Sequence, residues 1–202
     1  MTTVNPTKKN KFLTELYEWA ESICISLAVV LFLFSFCFKT VEVWGPSMED
    51  TLQGKDPSGY VETVGDRLLI SNLFYTPQAN DIVVIDTDTE EGAIIKRIIA
   101  TEGQTVDIDF STGSVYVDGV LLKEDYINEL TFLEEGTEFP LTVPKGSVFV
   151  MGDNRNHSSD SRDSRLGTVD TRYVIGKAVF LAFPGPDQYS GERNYGRIGA
   201  IE

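Results

Sequence analysis

The sequence predicts a mostly β, barrel-like or coiled-sheet domain standing after one N-terminal transmembrane helix. Three observations carry that expectation. Ser22 to Phe38 is an uncharged apolar run. Beyond residue 40 the hydrophobic period is two rather than 3.6, in many short runs. Gly, Pro, Asn and Asp turns separate those runs, which is the pattern of antiparallel β architecture.

The apolar run comes first in the chain. It has 17 residues, the short end for a membrane-crossing helix. Tyr17 and Trp19 suit a headgroup belt, and Lys39 can snorkel at the far end. A cleaved leader is the competing reading, but the run is longer than a usual leader core. Lys39-Thr40-Val41-Glu42 follows it in place of an Ala-x-Ala site. The expectation is an uncleaved signal-anchor over residues 22–39 in a cell membrane. Lys8, Lys9 and Lys11 precede the run and Lys39 alone follows it closely, so residues 1–21 should be a cytoplasmic tail and residues 40–202 should lie outside.

The charge bounds the partners. The 17 Lys and Arg against 31 Asp and Glu give a net charge of -14. Nucleic acid is therefore not expected as a partner, since phosphate contacts need clustered cations. The two cysteines, Cys24 and Cys37, both fall in the apolar run. On a helix they stand about 20 Å apart, too far for a disulfide. The outer domain must then hold together without one.

Candidate strands follow in order: Arg67 to Ile70, Asp81 to Asp86, Ala93 to Ile99, Val106 to Asp109, Val115 to Val117 and Val120 to Leu122. Asp118-Gly119 reads as a tight hairpin turn between the last two. Leu141 to Val143, Ser147 to Met151 and Tyr173 to Phe180 complete the set. Residues 123–138 read as an acidic solvated loop or short flap, residues 152–168 as a long polar loop, and the tail from Pro184 as a surface wrap.

The chemistry turns on a serine. Ser47 follows Gly45-Pro46, a turn pair, a few residues beyond the apolar run. Serine needs a partner to take its proton. The single histidine, His157, sits among Asn156, Ser158 and Ser159 and reads as a solvated loop residue rather than as a triad member. With one His and no Cys after residue 40, a zinc site would need mostly carboxylates, and no spacing suggests one. No metal or cofactor is expected. Lysine is left as the base.

Lys96 interrupts an isoleucine strand, with Ile94 and Ile98 on its face and Ile95, Arg97 and Ile99 on the other. Desolvation there disfavours the ammonium form. The requirement is large: at an unperturbed value of about 10.4, roughly one lysine in 2,500 is neutral at pH 7. A depression of about three units costs roughly 4 kcal/mol of folding free energy. Periodicity does not separate this role from that of an edge-strand lysine guarding against aggregation.

Several stretches together resemble the bacterial type I signal peptidase family, in its Gram-positive form with one short anchor. Gly45-Pro46-Ser47-Met48 is similar to the family's nucleophile box and Lys96-Arg97-Ile98-Ile99 to its base box. Gly65-Asp66-Arg67-Leu68-Leu69 and Asn80-Asp81-Ile82-Val83-Val84 resemble the intervening strands. Met151-Gly152-Asp153-Asn154-Arg155 through Ser158-Ser159-Asp160-Ser161-Arg162 resembles the last box. The match runs over nearly the whole chain after residue 12.

The resemblance implies a serine endopeptidase that removes signal peptides after Ala-x-Ala sites, with Ser47 as nucleophile and Lys96 as general base. It implies that Ser158 orients the lysine, that Asp153, Arg97, Asp160 and Arg162 brace the site, and that Gly45 stands where some relatives have a serine assisting the oxyanion hole. It also implies that the substrate adds as a strand beside Val41 to Gly45 and Gly92 to Ile95. Val41, Val43, Met48 and Ile95 would then form shallow pockets. The expected partners are signal peptides of exported preproteins, membrane lipid and, nearby, the secretion translocon.

Two departures stand out. Glu49-Asp50 replaces the usual x-Pro of the nucleophile box, and Ala100-Thr101-Glu102-Gly103-Gln104 replaces Gly-Leu-Pro-Gly-Asp. The extra β lobe of larger relatives should be reduced to about residues 105–140. Two rival functions remain: a non-catalytic anchored β domain that binds extended peptides, and a self-cleaving repressor-type Ser-Lys peptidase. The second lacks its expected DNA-binding pattern here.

Overall fold

The computed structural model describes residues 8–49, 51–58, 64–87, 92–187 and 190–201. Asp50 lies outside these, so the expectation on it stops at the sequence. The chain divides into two units, residues 1–38 and 39–202.

Among its described residues the first unit is one helix, α1 (Lys8–Cys37). It is longer at its start than the uncharged run, and it stops at Cys37. Lys39, expected to close the span, instead opens the first strand. Lys11–Cys37 has a mean hydropathy of 2.2 in its most apolar window, long and apolar enough to cross a membrane. Two of its serines bond inside the helix: Ser22 Oγ donates to Glu18 O at 2.9 Å and Ser26 Oγ to Ser22 O at 2.7 Å. A hydroxyl paired in this way can sit in hydrocarbon without an orphaned polar group.

The second unit is mostly β. Among the described residues its main sheet has eight strands, all paired antiparallel. Its path runs β1 (Lys39–Glu42), β2 (Arg67–Ser71), β11 (Val174–Phe183), β3 (Ile82–Ile85), β4 (Ile94–Thr101), β9 (Ser147–Met151), β10 (Val169–Asp170), with β12 (Gly199–Ala200) beside β11. It is an open, curled sheet with β1 and β10 at its ends, not a closed barrel. Apolar side chains cover both faces. Ile82 and Val84 of β3 join one cluster, Val83 and Ile85 another. The unbroken Ile-Val-Val-Ile run follows from burial on both sides.

A smaller sheet stands between β4 and β9: β7 (Val120–Leu121), β6 (Ser114–Val117), β5 (Thr105–Asp109) and β8 (Leu141–Thr142), in that order. Asp118 and Gly119 both have positive φ, 52° and 77°, as a two-residue primed hairpin turn requires. Val106, Ile108 and Val115 pack on Ile99, Phe149 and Met151 of the main sheet.

The 152–168 segment is the long polar loop expected, and within it Asp153, Arg155, Asp160, Ser161 and Arg162 are fully buried. They bury because they satisfy one another. Residues 123–138 form the irregular, largely exposed segment expected, and it is fastened along its length. Phe132 N and Leu133 N donate to Asn156 Oδ1, Thr137 N to Arg162 O, and Ser164 N to Glu135 O. The segment is a strap fastened onto the 152–168 loop. The tail from Pro184 wraps as expected, and it also adds β12 and places Ile201 against the core.

Candidate active site

Ser47 lies on a turn that no strand ladder holds. Gly45 enters it at φ 74°, a left-handed conformation that a side chain would strain. Gly45 N donates to Lys55 O at 2.9 Å, and Glu49 N to Pro46 O at 3.1 Å. Met48 and Leu52 then plug into the main core beside Val43, Ile95 and Ile82. The apolar residues flanking Ser47 thus fix the turn's depth.

Lys96 comes from β4, where it is laddered to β3, while β9 pairs with β4 only from Arg97 onward. Its burial, rather than its place in the sheet, argues against a solvent-facing edge guard. Lys96 is 4% exposed and its Nζ lies 2.7 Å from Ser47 Oγ. Residues 49 apart in sequence meet at hydrogen-bond distance, the lysine buried and the serine half-buried. An arrangement of this kind can pass a proton between Oγ and Nζ.

Around the pair stand two buried carboxylates. Asp153 accepts from Arg97 Nε at 2.9 Å, from Arg97 Nη2 at 2.7 Å and from Thr51 Oγ1 at 2.6 Å. Arg97, 2% exposed, also donates to Asn80 O and lies with its guanidinium 4.0 Å over the Tyr126 ring. Burial, and then the Glu124 carboxylate, push the Tyr126 phenol up to about 12, so it stays neutral across ordinary pH.

Asp160 accepts from Arg162 Nε and Nη2 at 2.9 and 2.8 Å, from Gly152 N at 2.9 Å and from Ser158 Oγ at 2.8 Å. Since the Ser158 hydroxyl spends its hydrogen on Asp160, its lone pairs remain to accept. The strap adds one more carboxylate: Glu135 Oε2 is buried without a hydrogen bond, 3.7 Å from Arg162 Nη2. Burial first, and the Asp160 charge next, raise the Glu135 carboxyl above its ordinary range.

The structure therefore places two buried groups near the Ser47–Lys96 pair: Asp153 with Arg97, and Asp160 with Arg162 and Ser158. Val43, Met48 and Ile95 share one core cluster, with Val41 packed against it. Val43 and Met48 are each only 1% exposed, so almost nothing of either side chain reaches the surface. His157 is exposed, as its loop predicted. Among the described residues no His, Cys, Asp and Glu cluster has metal-binding form.

Sequence reasoning missed three contributors. Asn154 N donates to Ser47 O and Asn154 Nδ2 to Pro46 O, both at 3.1 Å, which ties the 152–168 loop to the Ser47 turn. Thr51 hands its hydroxyl to Asp153. Tyr126 stacks under Arg97 from a loop 29 residues away. Isolated polar residues carry no periodic signal, and only the quoted boxes pointed near Asn154.

Comparison with known proteins gives a consistent result. A family model described as signal peptidase, peptidase S26, matches residues 16–183. The signal peptidase I of Bacillus licheniformis is 34% identical over 187 residues, covering 88% of this chain and 91% of that protein. Signal peptidase I T of Bacillus subtilis (strain 168) is 33% identical, over 91% of this chain and 93% of its own. A crystal structure of a signal peptidase I from Enterococcus faecalis V583 aligns with a TM-score of 0.42 and 34% identity, covering 51% of this chain and 97% of that one.

Proposed function

Because the chain belongs to the signal peptidase family, peptidase S26, whose members are serine endopeptidases, we propose that it removes signal peptides from exported preproteins with a Ser47–Lys96 dyad, cutting after Ala-x-Ala-like sites. The observation that carries this reading is the 2.7 Å approach of a buried Lys96 Nζ to Ser47 Oγ.

In the reactive state Lys96 is neutral and accepts the Ser47 hydroxyl proton as Oγ attacks the scissile carbonyl. The lysine returns that proton to the leaving amine, which becomes the N-terminus of the mature protein. Water, deprotonated by the same lysine, then hydrolyses the ester and releases the signal peptide. Ser158, donating to Asp160, keeps a lone pair for the ammonium that forms on Lys96. The Ser47 N–H is the first oxyanion donor. Gly45 offers no hydroxyl to assist it.

Two strand edges support binding of the substrate as an added strand. β1 ends the sheet, and among the described residues its outer side has no partner strand. On β4, pairing with β9 begins only at Arg97, which leaves that side of Ile94 to Lys96 open. A peptide laid along these edges would present alternate side chains toward the ground above Val41, Val43, Met48 and Ile95. Such shallow ground favours small residues at the first and third positions before the cut.

The membrane reading places the crossing in α1, the N-terminal lysines inside and the β domain outside. Ser47 lies eight residues beyond Lys39, so the chemistry sits at the outer surface. Phe74, almost fully exposed on the turn after β2, suits contact with a lipid boundary.

The test is cleavage of an Ala-x-Ala preprotein by the detergent-solubilised chain and by Ser47→Ala and Lys96→Ala. Each variant should lose about 10⁴-fold or more in turnover while its circular dichroism stays unchanged. Cleavage that persists in both folded variants would sink the dyad.

A further inference from the structure

The nucleophile turn has a second attachment, and it comes from the far end of the chain. Asp66 lies just before β2 and is fully buried. Its carboxylate accepts four donors: Gln53 N at 2.9 Å, Gly185 N at 2.7 Å, Arg197 Nη1 at 3.1 Å and Arg197 Nη2 at 2.6 Å. Both oxygens are saturated, as a buried carboxylate requires. Arg197 Nη2 also donates to Thr51 O at 3.0 Å. One guanidinium thus bridges the Asp66 carboxylate and the backbone four residues from Ser47.

Thr51 is the point where two supports converge. Asp153 takes its hydroxyl hydrogen, and Arg197 holds its carbonyl. Gln53 is tied twice, since its N–H goes to Asp66 Oδ2 and its carbonyl accepts from Asp66 N at 2.8 Å. The tail is itself anchored: Arg193 Nη1 donates to Pro184 O at 2.7 Å, Asn194 Oδ1 accepts from Gly196 N, and β12 pairs with β11. Arg197 sits between those anchors and cannot swing freely. It also lies beyond residues 16–183, the stretch that the family model matches. A planar fork suits this bridge better than an ammonium point charge, because it must serve a carboxylate and a carbonyl together.

We propose that Arg197, seated on Asp66, is a positioning residue for Ser47: the C-terminal tail clamps the nucleophile turn through the Thr51 carbonyl, complementing the hold of Asp153 on the Thr51 hydroxyl. The proposal rests on Ser47 being the nucleophile. Arg197 touches no reacting atom. Its loss lets the turn drift, so fewer bound substrates meet Oγ in line with Lys96.

The experiment uses the full chain in detergent, as wild type, Arg197→Ala and Arg197→Lys, with an Ala-x-Ala peptide substrate. It reads kcat and KM per folded molecule well below each variant's Tm, together with amide hydrogen exchange over residues 51–55. Arg197→Ala should lower kcat about tenfold with KM within about twofold, a fraction of the 10²-fold that a 1 Å misplacement costs. The Leu52 and Gln53 amides should exchange faster. Arg197→Lys should fall between, keeping the ion pair but not the whole bridge. Wild-type kcat in folded Arg197→Ala, whatever its Tm, would overturn the positioning role, and so would unchanged exchange. If Arg197→Ala does not fold, Arg197→Lys decides on the same two readouts. If the wild type itself does not cleave, the peptidase reading fails and exchange alone judges the clamp.

Discussion

Lys96 and Ser47 meet at 2.7 Å, yet opposite kinds of structure deliver them. Lys96 rides on β4, bonded by backbone ladders to β3 and β9 and packed among isoleucines. Ser47 rides on a turn whose geometry comes from side chains scattered along the chain: Asp153, Asn154, Asp66 and Arg197. A ladder makes position a property of the whole sheet, spread over many weak contributions. A turn held by a few polar side chains makes position depend on each of them. Mutations on the serine side should therefore damage catalysis more than equally buried mutations on the lysine side.

The largest expected break is Asp153→Ala. It leaves the buried Arg97 guanidinium unpaired and releases Thr51 Oγ1 at once. Loss of one partner of a buried pair costs about 3–5 kcal/mol. Urea unfolding should show that loss, and turnover in the surviving folded fraction should drop by roughly 10²-fold. Next comes Gly152→Ala. A Cβ there would overlap the Ser47 carbonyl and the Ser158 side chain, and the Ser47 carbonyl is backbone that cannot rotate away. Turnover should fall by about 10²-fold with a much smaller change in Tm.

The contrasting variant is Ile98→Val on the lysine strand. It removes one buried methylene and should cost about 1 kcal/mol of stability. Its kcat should match wild type, because the ladder still holds Lys96 in register. If Ile98→Val damaged kcat as much as Gly152→Ala, the distinction between ladder and turn would be lost. The smallest effect belongs to Glu135→Gln. The folded state holds the Glu135 carboxyl above its ordinary range, so this group's contribution to stability is full below its unfolded value and is lost as pH rises through the raised one. Thermal melts across mildly acidic pH should therefore show a flatter decline in Glu135→Gln than in wild type, with turnover little changed.

The same contrast explains what the sequence made legible. The strands of the main sheet were readable because apolar residues recur at period two between turn residues, and β9 falls on the expected Ser147 to Met151. β10 and β12 were not, since two-residue strands carry no period. Lys96 was conspicuous because a charge inside an isoleucine run violates the local pattern. The strap over residues 123–138 looked solvated because it is acidic. What fastens it is backbone bonding to Asn156 and Arg162, which composition does not register. Arg197 was invisible for the same reason: one arginine in a Gly- and Tyr-rich tail looks like surface until its two partners are seen.

In the proposed dyad a buried, neutral Lys96 takes the Ser47 proton. The decisive experiment is kcat/KM for an Ala-x-Ala signal-peptide substrate measured across pH in wild type and Lys96→Ala. A lysine base of this kind gives a rising limb with an apparent pKa well below the unperturbed lysine value of about 10.4, and no such limb in Lys96→Ala. A wild-type rate that climbs only near pH 10, or a limb that survives in Lys96→Ala, would contradict it.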